Sequence, residues 1–415
     1  MGSFKSGGLG SLLRGSLLVT AASAAINFAA GIALARLCGP GALGQFVLLV
    51  ASAHLAFAIL SPGFDQAYIQ KPNDQGRWAA VVVLTVLQGA LLLSVPIALL
   101  ALLARFDLQW MPKVDLMNFA WVMLGITFTL AANLLLAPLA VALDYWKISI
   151  VRLVAIVLAA VVAVAWAWWE PAPSATPLVA REVCSGGLLL ALAFAFTRLP
   201  RWTGWPGSAA VRSTLKFSHD LWALNTLEKC VQRVEYLALG LTVSTTSVGV
   251  YFAIRSIFDG IYGVVSAPIQ TVLFAYLCRD GRTNRLIDFL TAPRSLRILV
   301  PGGFGVALVG ALSTQLFPLL LGPRYSAPWQ LSAAFATLVA GLLLFELIKV
   351  AMMAMGRHRD LLPARGVQLL VLAVGVQALA QWAGLPGAAV GAMLATMALI
   401  TTSIWQVRKI ANNRR

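Results

Sequence analysis

Charge is what this sequence is short of. Of its 415 residues 15 are acidic, three are histidine and four are cysteine, and charged residues of either sign make up 11%. A soluble domain carries roughly 25% charged and 45–50% apolar residues; here the apolar share is 60%. The cysteines, Cys38, Cys184, Cys230 and Cys278, stand far apart, with no C-x-x-C pair and no histidine at ligand spacing. That pattern offers neither a disulfide framework nor a metal site, and leaves the thiols as small apolar fillers. The G-x-x-x-x-G-K-[ST] phosphate loop is missing, so ATP hydrolysis is not expected within this chain. H-E-x-x-H and G-x-S-x-G are missing too. Long loops are absent as well: outer connections hold around ten residues, such as WEPAPSATP at 169–177. An envelope ligase or polymerase would have no platform for catalytic groups. The sequence therefore reads as a non-enzyme with no cofactor and no metal.

Apolar runs of about 20 residues, the length that crosses a bilayer, recur from end to end. Lys5 and Arg14 followed by LLVTAASAA imitate a secretory signal, but the run continues to Leu37 and reads as a first helix that stays. Twelve candidate spans cover about 14–36, 43–63, 78–104, 116–141, 148–169, 178–198, 217–241, 247–276, 297–321, 329–353, 361–382 and 386–407. The net charge of +16 would point to nucleic acid in a soluble chain. In a membrane chain it reflects the Lys and Arg of cytoplasmic loops, and no nucleic-acid partner is expected. With both termini cytoplasmic, outer loops hold only Arg36, Arg105, Lys113, Arg181 and Arg324. Lys229, Arg233, Arg255 and Lys349 lie inside spans, and the remaining basic residues, Arg77, Arg279, Arg282, Arg285, Arg357, Arg359 and Arg365 among them, fall on the inner side.

The longest inner connection, LPRWTGWPGSAAVRST at 199–214, lies at mid-chain. A short echo supports two halves: Gly44/Phe46 follow the first helix as Gly249/Tyr251 follow the seventh. The expected architecture is an all-α polytopic membrane protein, about 12 transmembrane helices in two six-helix lobes around a central cavity. Its parts are an N-terminal lobe (1–200), a cytoplasmic linker (201–214) and a C-terminal lobe (215–415). Six helices per half would make this a parallel repeat about an axis normal to the membrane.

Within NTLEKCVQRVEYLALG (225–240) the seventh span carries Glu228, Lys229, Arg233 and Glu235. Lys229 and Arg233 are four apart and share a helix face; Glu228 and Glu235, seven apart, share a neighbouring one. Arg255 and Asp259 repeat the four-residue spacing in the eighth span, and Glu346 and Lys349 sit three apart in the tenth. Each charge at the bilayer centre costs about 2.5–3.5 kcal/mol, so these groups either form salt bridges between helices or line a cavity for a polar substrate. Arginine grips phosphate bidentately, and carboxylates bind hydroxyls, so a mixed site suits an anion bearing sugars. Asn27 and Asn133 have the character of packing contacts between helices, and His54 of a packing histidine. His219 and Asp220 read as surface groups at the cytoplasmic edge. Pro96, Pro138 and Pro268 are expected kink sites.

LARLCGPGALGQF (34–46) resembles the loop after the first helix in the O-antigen flippase (Wzx-type) family of polysaccharide biosynthesis proteins, members of the multidrug/oligosaccharidyl-lipid/polysaccharide exporter superfamily. Leu34, Ala35, Arg36, Gly39, Pro40, Gly44 and Phe46 fit the pattern. GFDQAYIQK (63–71), VEYLALGLTVSTTSVGVYFAI (234–254), LFPLLLGPRYSAPWQ (316–330), AMGRHRD (354–360) and GLPGAAVGAMLAT (384–396) resemble further family segments in the right order. The chain departs from the family at Cys38, where an apolar residue is usual, and in having twelve spans where members often have fourteen.

The resemblance implies a flippase of the bacterial inner membrane. Its cargo would be undecaprenyl-pyrophosphate-linked oligosaccharide for O-antigen, exopolysaccharide or capsule, moved by alternating access. Lys229, Arg233 and Arg255, with Arg36 and Asn27, become candidate contacts for pyrophosphate and sugar. Glu228, Glu235 and Asp259 would tune that grip or carry a coupling proton. Partners would be the lipid-linked oligosaccharide, the bilayer and other polysaccharide-assembly membrane proteins. A small-molecule antiporter or a lipid II flippase of the same superfamily, and an envelope-assembly enzyme, are the competing readings.

Overall fold

The computed structural model describes residues 6–70, 76–106, 115–142, 144–170, 172–200, 204–268, 293–355 and 357–412. Lys5, Lys71, Lys113, Cys278, Arg279, Arg282, Arg285 and the 269–276 end of the eighth span lie outside the described residues. The described residues form twelve α-helices, with short 3-10 turns and connections between them: α1 (Ser6–Leu60), α2 (Phe64–Gln70), α3 (Arg77–Phe106), α4 (Leu116–Val141), α5 (Tyr145–Trp169), α6 (Thr176–Phe196), α7 (Ser208–Gly240), α8 (Thr245–Pro268), α9 (Pro293–Leu312), α10 (Leu316–Leu321), α11 (Trp329–Ala354) and α12 (Leu362–Asn412). Among the described residues there is no strand. Among the described residues seven segments are long and apolar enough to cross a membrane, including 22–60 and 359–409, each of which is two helices joined across a break. The protein is an all-α, multi-pass membrane protein.

Where the sequence suggests two spans joined by a turn, two helices run on across a break. Gly39 in α1 takes φ 76°, a conformation open to glycine, and Pro40 restarts the helix. Ala383 and Gly384 (φ 60°) do the same in α12 ahead of Pro386. Helix α7 starts at Ser208, inside the expected linker. The short α2 is an element the span pattern does not contain: Phe64 and Tyr68 turn it onto Val81, Leu134 and Ala137. Pro96 and Pro138 lie within α3 and α4, and Pro268 is the last described residue of α8. Helices α4 and α5 are capped by Asp115 and Asp144, whose carboxylates accept from the amides of Asn118 (3.2 Å) and Lys147 (3.4 Å).

The chain divides into two units, residues 1–38 with 49–226 and residues 39–48 with 227–415. In the first, α4 packs on α5 and α6. At the α4–α6 crossing a Cβ on Gly186 would sit 2.3 Å from the carbonyl oxygen of Gly125; only glycine lets two membrane helices approach so closely. Ala132, Leu136, Ile148, Val151, Ala155, Leu189 and Ala193 fill the contact. The start of α7 belongs here because Trp222 Nε1 and Thr226 Oγ1 donate to the carbonyls of Ile59 and Ala58, both at 2.9 Å.

In the second unit α11 packs against α8, α9 and α12. Phe345, Ile348 and Met352 of α11 meet Leu361, Ala364, Leu399 and Val407. Residues 39–48 lie across the start of α8 in a reciprocal contact. A Cβ on Gly44 would fall 1.7 Å from the carbonyl of Thr245, and one on Gly249 1.8 Å from that of Pro40. The two glycines of the sequence echo therefore touch each other.

Candidate functional site

A cavity of about 340 Å³ opens among α7, α8, α11 and α12 of the second unit. Its wall on α7 is set by helical spacing: Glu228, Gln232 and Glu235 recur at four and three residues and so share one face, with Val231, Arg233 and Tyr236 beside them. Helix α8 adds Phe252, Arg255, Asp259 and Tyr262, α11 adds Leu338 and Leu342, and α12 adds Arg365, Gln368, Leu372, Ala392 and Thr396. Six unpaired charges in a bilayer would cost on the order of 15 kcal/mol. The geometry shows how that is avoided.

The charges form two groups. In the first, Arg255 Nε lies 3.0 Å from Asp259 Oδ1, one helical turn away. Its guanidinium carbon is 5.4 Å from the centre of the Phe335 ring, a favourable cation–π placement. Tyr251 donates its hydroxyl to the buried carboxylate of Glu235, and the Tyr251 and Phe335 rings meet edge to face at 4.8 Å. Arg255 is 8% exposed, and its Nε and Nη1 have no hydrogen bond of good geometry. The 3.0 Å approach to Asp259 is thus an ion pair without an aligned N–H···O bond.

The second group is a chain of contacts across four helices. Tyr262 donates to Glu346 Oε1 at 2.8 Å. Lys349 Nζ stands 3.6 Å from Glu346 and 3.3 Å from Glu228 Oε1. Arg365 Nη2 approaches the same Glu228 oxygen at 3.7 Å, while its Nη1 donates to Gln368 Oε1 at 2.8 Å. The Arg365 guanidinium also covers the Phe345 ring at 4.3 Å.

Of the candidates read from sequence, Glu228, Arg233, Glu235, Arg255 and Asp259 line this cavity. Lys229, half-buried on α7, is not one of the lining residues. Arg36 and Asn27 belong to the first unit. Arg36 is exposed. Asn27 Oδ1 accepts from Arg181 Nη2 at 2.5 Å, a contact between α1 and α6, and Asn133 accepts from Arg152 at 3.2 Å. His54 bonds the carbonyl of Val50 one turn back, at 2.9 Å. Glu346 and Lys349 sit in an inter-helix ion network, one of the two roles their spacing allows.

Sequence reading missed Arg365, Gln368, Gln232 and Tyr262. Arg365, counted with Arg357 and Arg359 on the inner side at the start of the 361–382 span, lies in α12, 8% exposed, and forms part of the cavity wall. The available signal was Gln368 three residues on, a second polar group on the same face of an apolar helix. Arg77, counted on the inner side, and Arg181, counted with the outer loops, are helical too. Arg77 is buried, its guanidinium within reach of the Ala67 carbonyl at 3.3 Å and of Ser213 Oγ at 3.2 Å.

Residues 33–326 match the family model described as polysaccharide biosynthesis protein. No curated protein matches the sequence. Among solved structures the chain is similar to the lipid II flippase MurJ in an inward closed conformation, at 12% identity and TM-score 0.64, covering 94% of this chain and 87% of that one. It is similar to an inward-facing multidrug resistance MATE family transporter of the MOP superfamily (12% identity, TM-score 0.54, 94% and 95% covered). A Vibrio cholerae MATE transporter follows at 12% identity and TM-score 0.52, with 97% and 96% covered. Identities this low carry the fold alone. That fold is the one the motifs at 34–46 and 234–254 imply, and with the family model spanning most of its length the chain belongs to the polysaccharide biosynthesis protein family.

Proposed function

We propose that the protein is a flippase that carries undecaprenyl-pyrophosphate-linked oligosaccharide across the bacterial inner membrane by alternating access. The units would go to O-antigen, exopolysaccharide or capsule, and both termini would be cytoplasmic. One observation carries the reading: in a family devoted to polysaccharide biosynthesis, this chain keeps a polar cavity within a unit of membrane helices, holding a buried arginine whose donors are not all used. An intramembrane ionisable group facing a cavity marks a substrate path. Lys229, Arg233, Arg255, Arg36 and Asn27 are the proposed contacts for the cargo's pyrophosphate or sugars, and Glu228, Glu235 and Asp259 the groups that tune them. The fold shared with the lipid II flippase MurJ supports a lipid-linked cargo. With the cytoplasm negative, outward movement of each negative charge is favoured by about 2.3 kcal/mol per 100 mV.

The test is rescue of surface polysaccharide in flippase-deficient strains, with Lys229→Ala, Arg233→Ala and Arg255→Ala compared at matched expression. Wild type is expected to restore polymer, and variants at contact residues to leave lipid-linked units on the inner face. Failure of wild type across strains with different sugar units would refute the reading. A small-molecule antiporter would instead confer drug resistance, and a lipid II flippase would rescue a strain depleted of that activity.

A further inference from the structure

Resting on the flippase reading, the geometry points to a division of labour: the second unit's cavity reads the sugars of the cargo, and the diphosphate is held outside it. The lining charges balance, Arg233, Arg255 and Arg365 against Glu228, Glu235 and Asp259. A diphosphate entering would meet three carboxylates, and one like-charge contact at about 4 Å costs roughly 4 kcal/mol at an effective dielectric of 20. Two of the three arginines are already engaged, Arg255 with Asp259 and the Phe335 ring, Arg365 with Gln368, Glu228 and the Phe345 ring.

What remains unused is matched to hydroxyl groups. A diphosphate only accepts hydrogen bonds, whereas a sugar hydroxyl donates and accepts at once. The cavity offers both halves. Arg255 Nε is taken by the ion pair with Asp259, but its buried Nη1 has no hydrogen-bond partner. Glu228 and Asp259 keep side-chain exposures of 34% and 43% as acceptors, and the Gln232 amide does either. A buried donor left without a partner calls for an explanation, and a hydroxyl from the cargo supplies one. Tyr236, Phe252 and Tyr262 supply flat apolar faces against which the C–H face of a pyranose packs. The volume, about 340 Å³, falls at the small end of ligand pockets, roughly 300–1,000 Å³, and suits part of an oligosaccharide rather than the whole unit.

Two measurements test this. In flippase-deficient strains whose repeat units share undecaprenyl diphosphate but differ in sugars, Gln232→Ala, Gln368→Ala and Asp259→Asn are expected to change the ratio of polymer made from two accepted units at least tenfold. An equal fall for every unit would overturn the inference. Independently, the purified full-length protein in detergent is titrated calorimetrically with the free oligosaccharides released from those units and with inorganic pyrophosphate. Binding of at least one oligosaccharide, weakened tenfold or more by Arg255→Lys, with none of pyrophosphate, supports a sugar subsite. Pyrophosphate binding that Arg255→Lys abolishes, or no binding of either, overturns it. Oligosaccharide binding by a protein that rescues no strain would keep the sugar site and sink the flippase reading.

Discussion

The two units handle the same solvent in opposite ways. In the first, α4 and α6 cross with Gly186 against Gly125 and close completely. In the second, Glu228, Gln232, Arg255, Asp259, Arg365 and Gln368 stand on facing helices, which stay apart and leave a cavity. Lipid is as apolar as leucine, so helices gain little by hiding apolar surface from it; they gain by fitting together. Small residues on a face bring helices into contact. Large polar ones hold them apart, and the charges must then satisfy each other or a guest.

The largest expected break of this contrast is in the closed crossing. Gly186→Leu would drive a side chain into the Gly125 carbonyl, and no monodisperse protein is expected in fluorescence-detected size exclusion. Gly263→Leu, on α8 with nothing within 4 Å of a Cβ, should elute like wild type. Next comes Glu346, 2% exposed and bonded to Tyr262. Glu346→Ala should lower stability by about 2–3 kcal/mol, the worth of a hydrogen bond to a charged group. Glu346→Gln, which still accepts from Tyr262, should lose less in thermal unfolding.

A double-mutant cycle between Glu228 and Lys349 should give a smaller coupling of about 0.5–1 kcal/mol, because both side chains are partly exposed. A cycle near zero would mean that Arg365 alone holds Glu228. The smallest effect belongs to Asp144, outside the cavity. A side-chain hydrogen bond from Lys147 lowers its pKa. That stabilisation is present above the ordinary aspartate range and is lost as pH falls through the lowered pKa. Asp144→Ala should therefore cost a little in melting temperature at neutral pH and nothing in strong acid.

Most helices were legible because an apolar run of spanning length has few other uses. Their continuity at Gly39 and Gly384 was not, since a glycine between two apolar runs reads the same whether the chain turns or carries straight on. The α7 side of the cavity could be read from the spacing of Glu228 and Glu235. Its far wall could not, because periodicity reports which residues share a helix face and never which helix that face meets. Arg365 shows the cost of this. Next to Arg357 and Arg359 it looks like one more base of the inner side, and only Glu228, far away in sequence, reveals it as part of the wall.

The reciprocal contact of Gly44 and Gly249 bears on how the chain is made. Residues 39–48 emerge early in synthesis, yet they belong to a unit whose other residues begin at Leu227. Their seat on α8 does not exist until Gly249 has left the ribosome. While the roughly 200 residues between Gly44 and Gly249 are made, this glycine face must wait in the membrane without its partner, open to lipid or to the insertion machinery. A substitution at Gly44 would then act twice: once in the finished protein, and earlier as a defect in the order of assembly. Pulse-chase protease protection during synthesis would record the earlier effect before any folded unit exists.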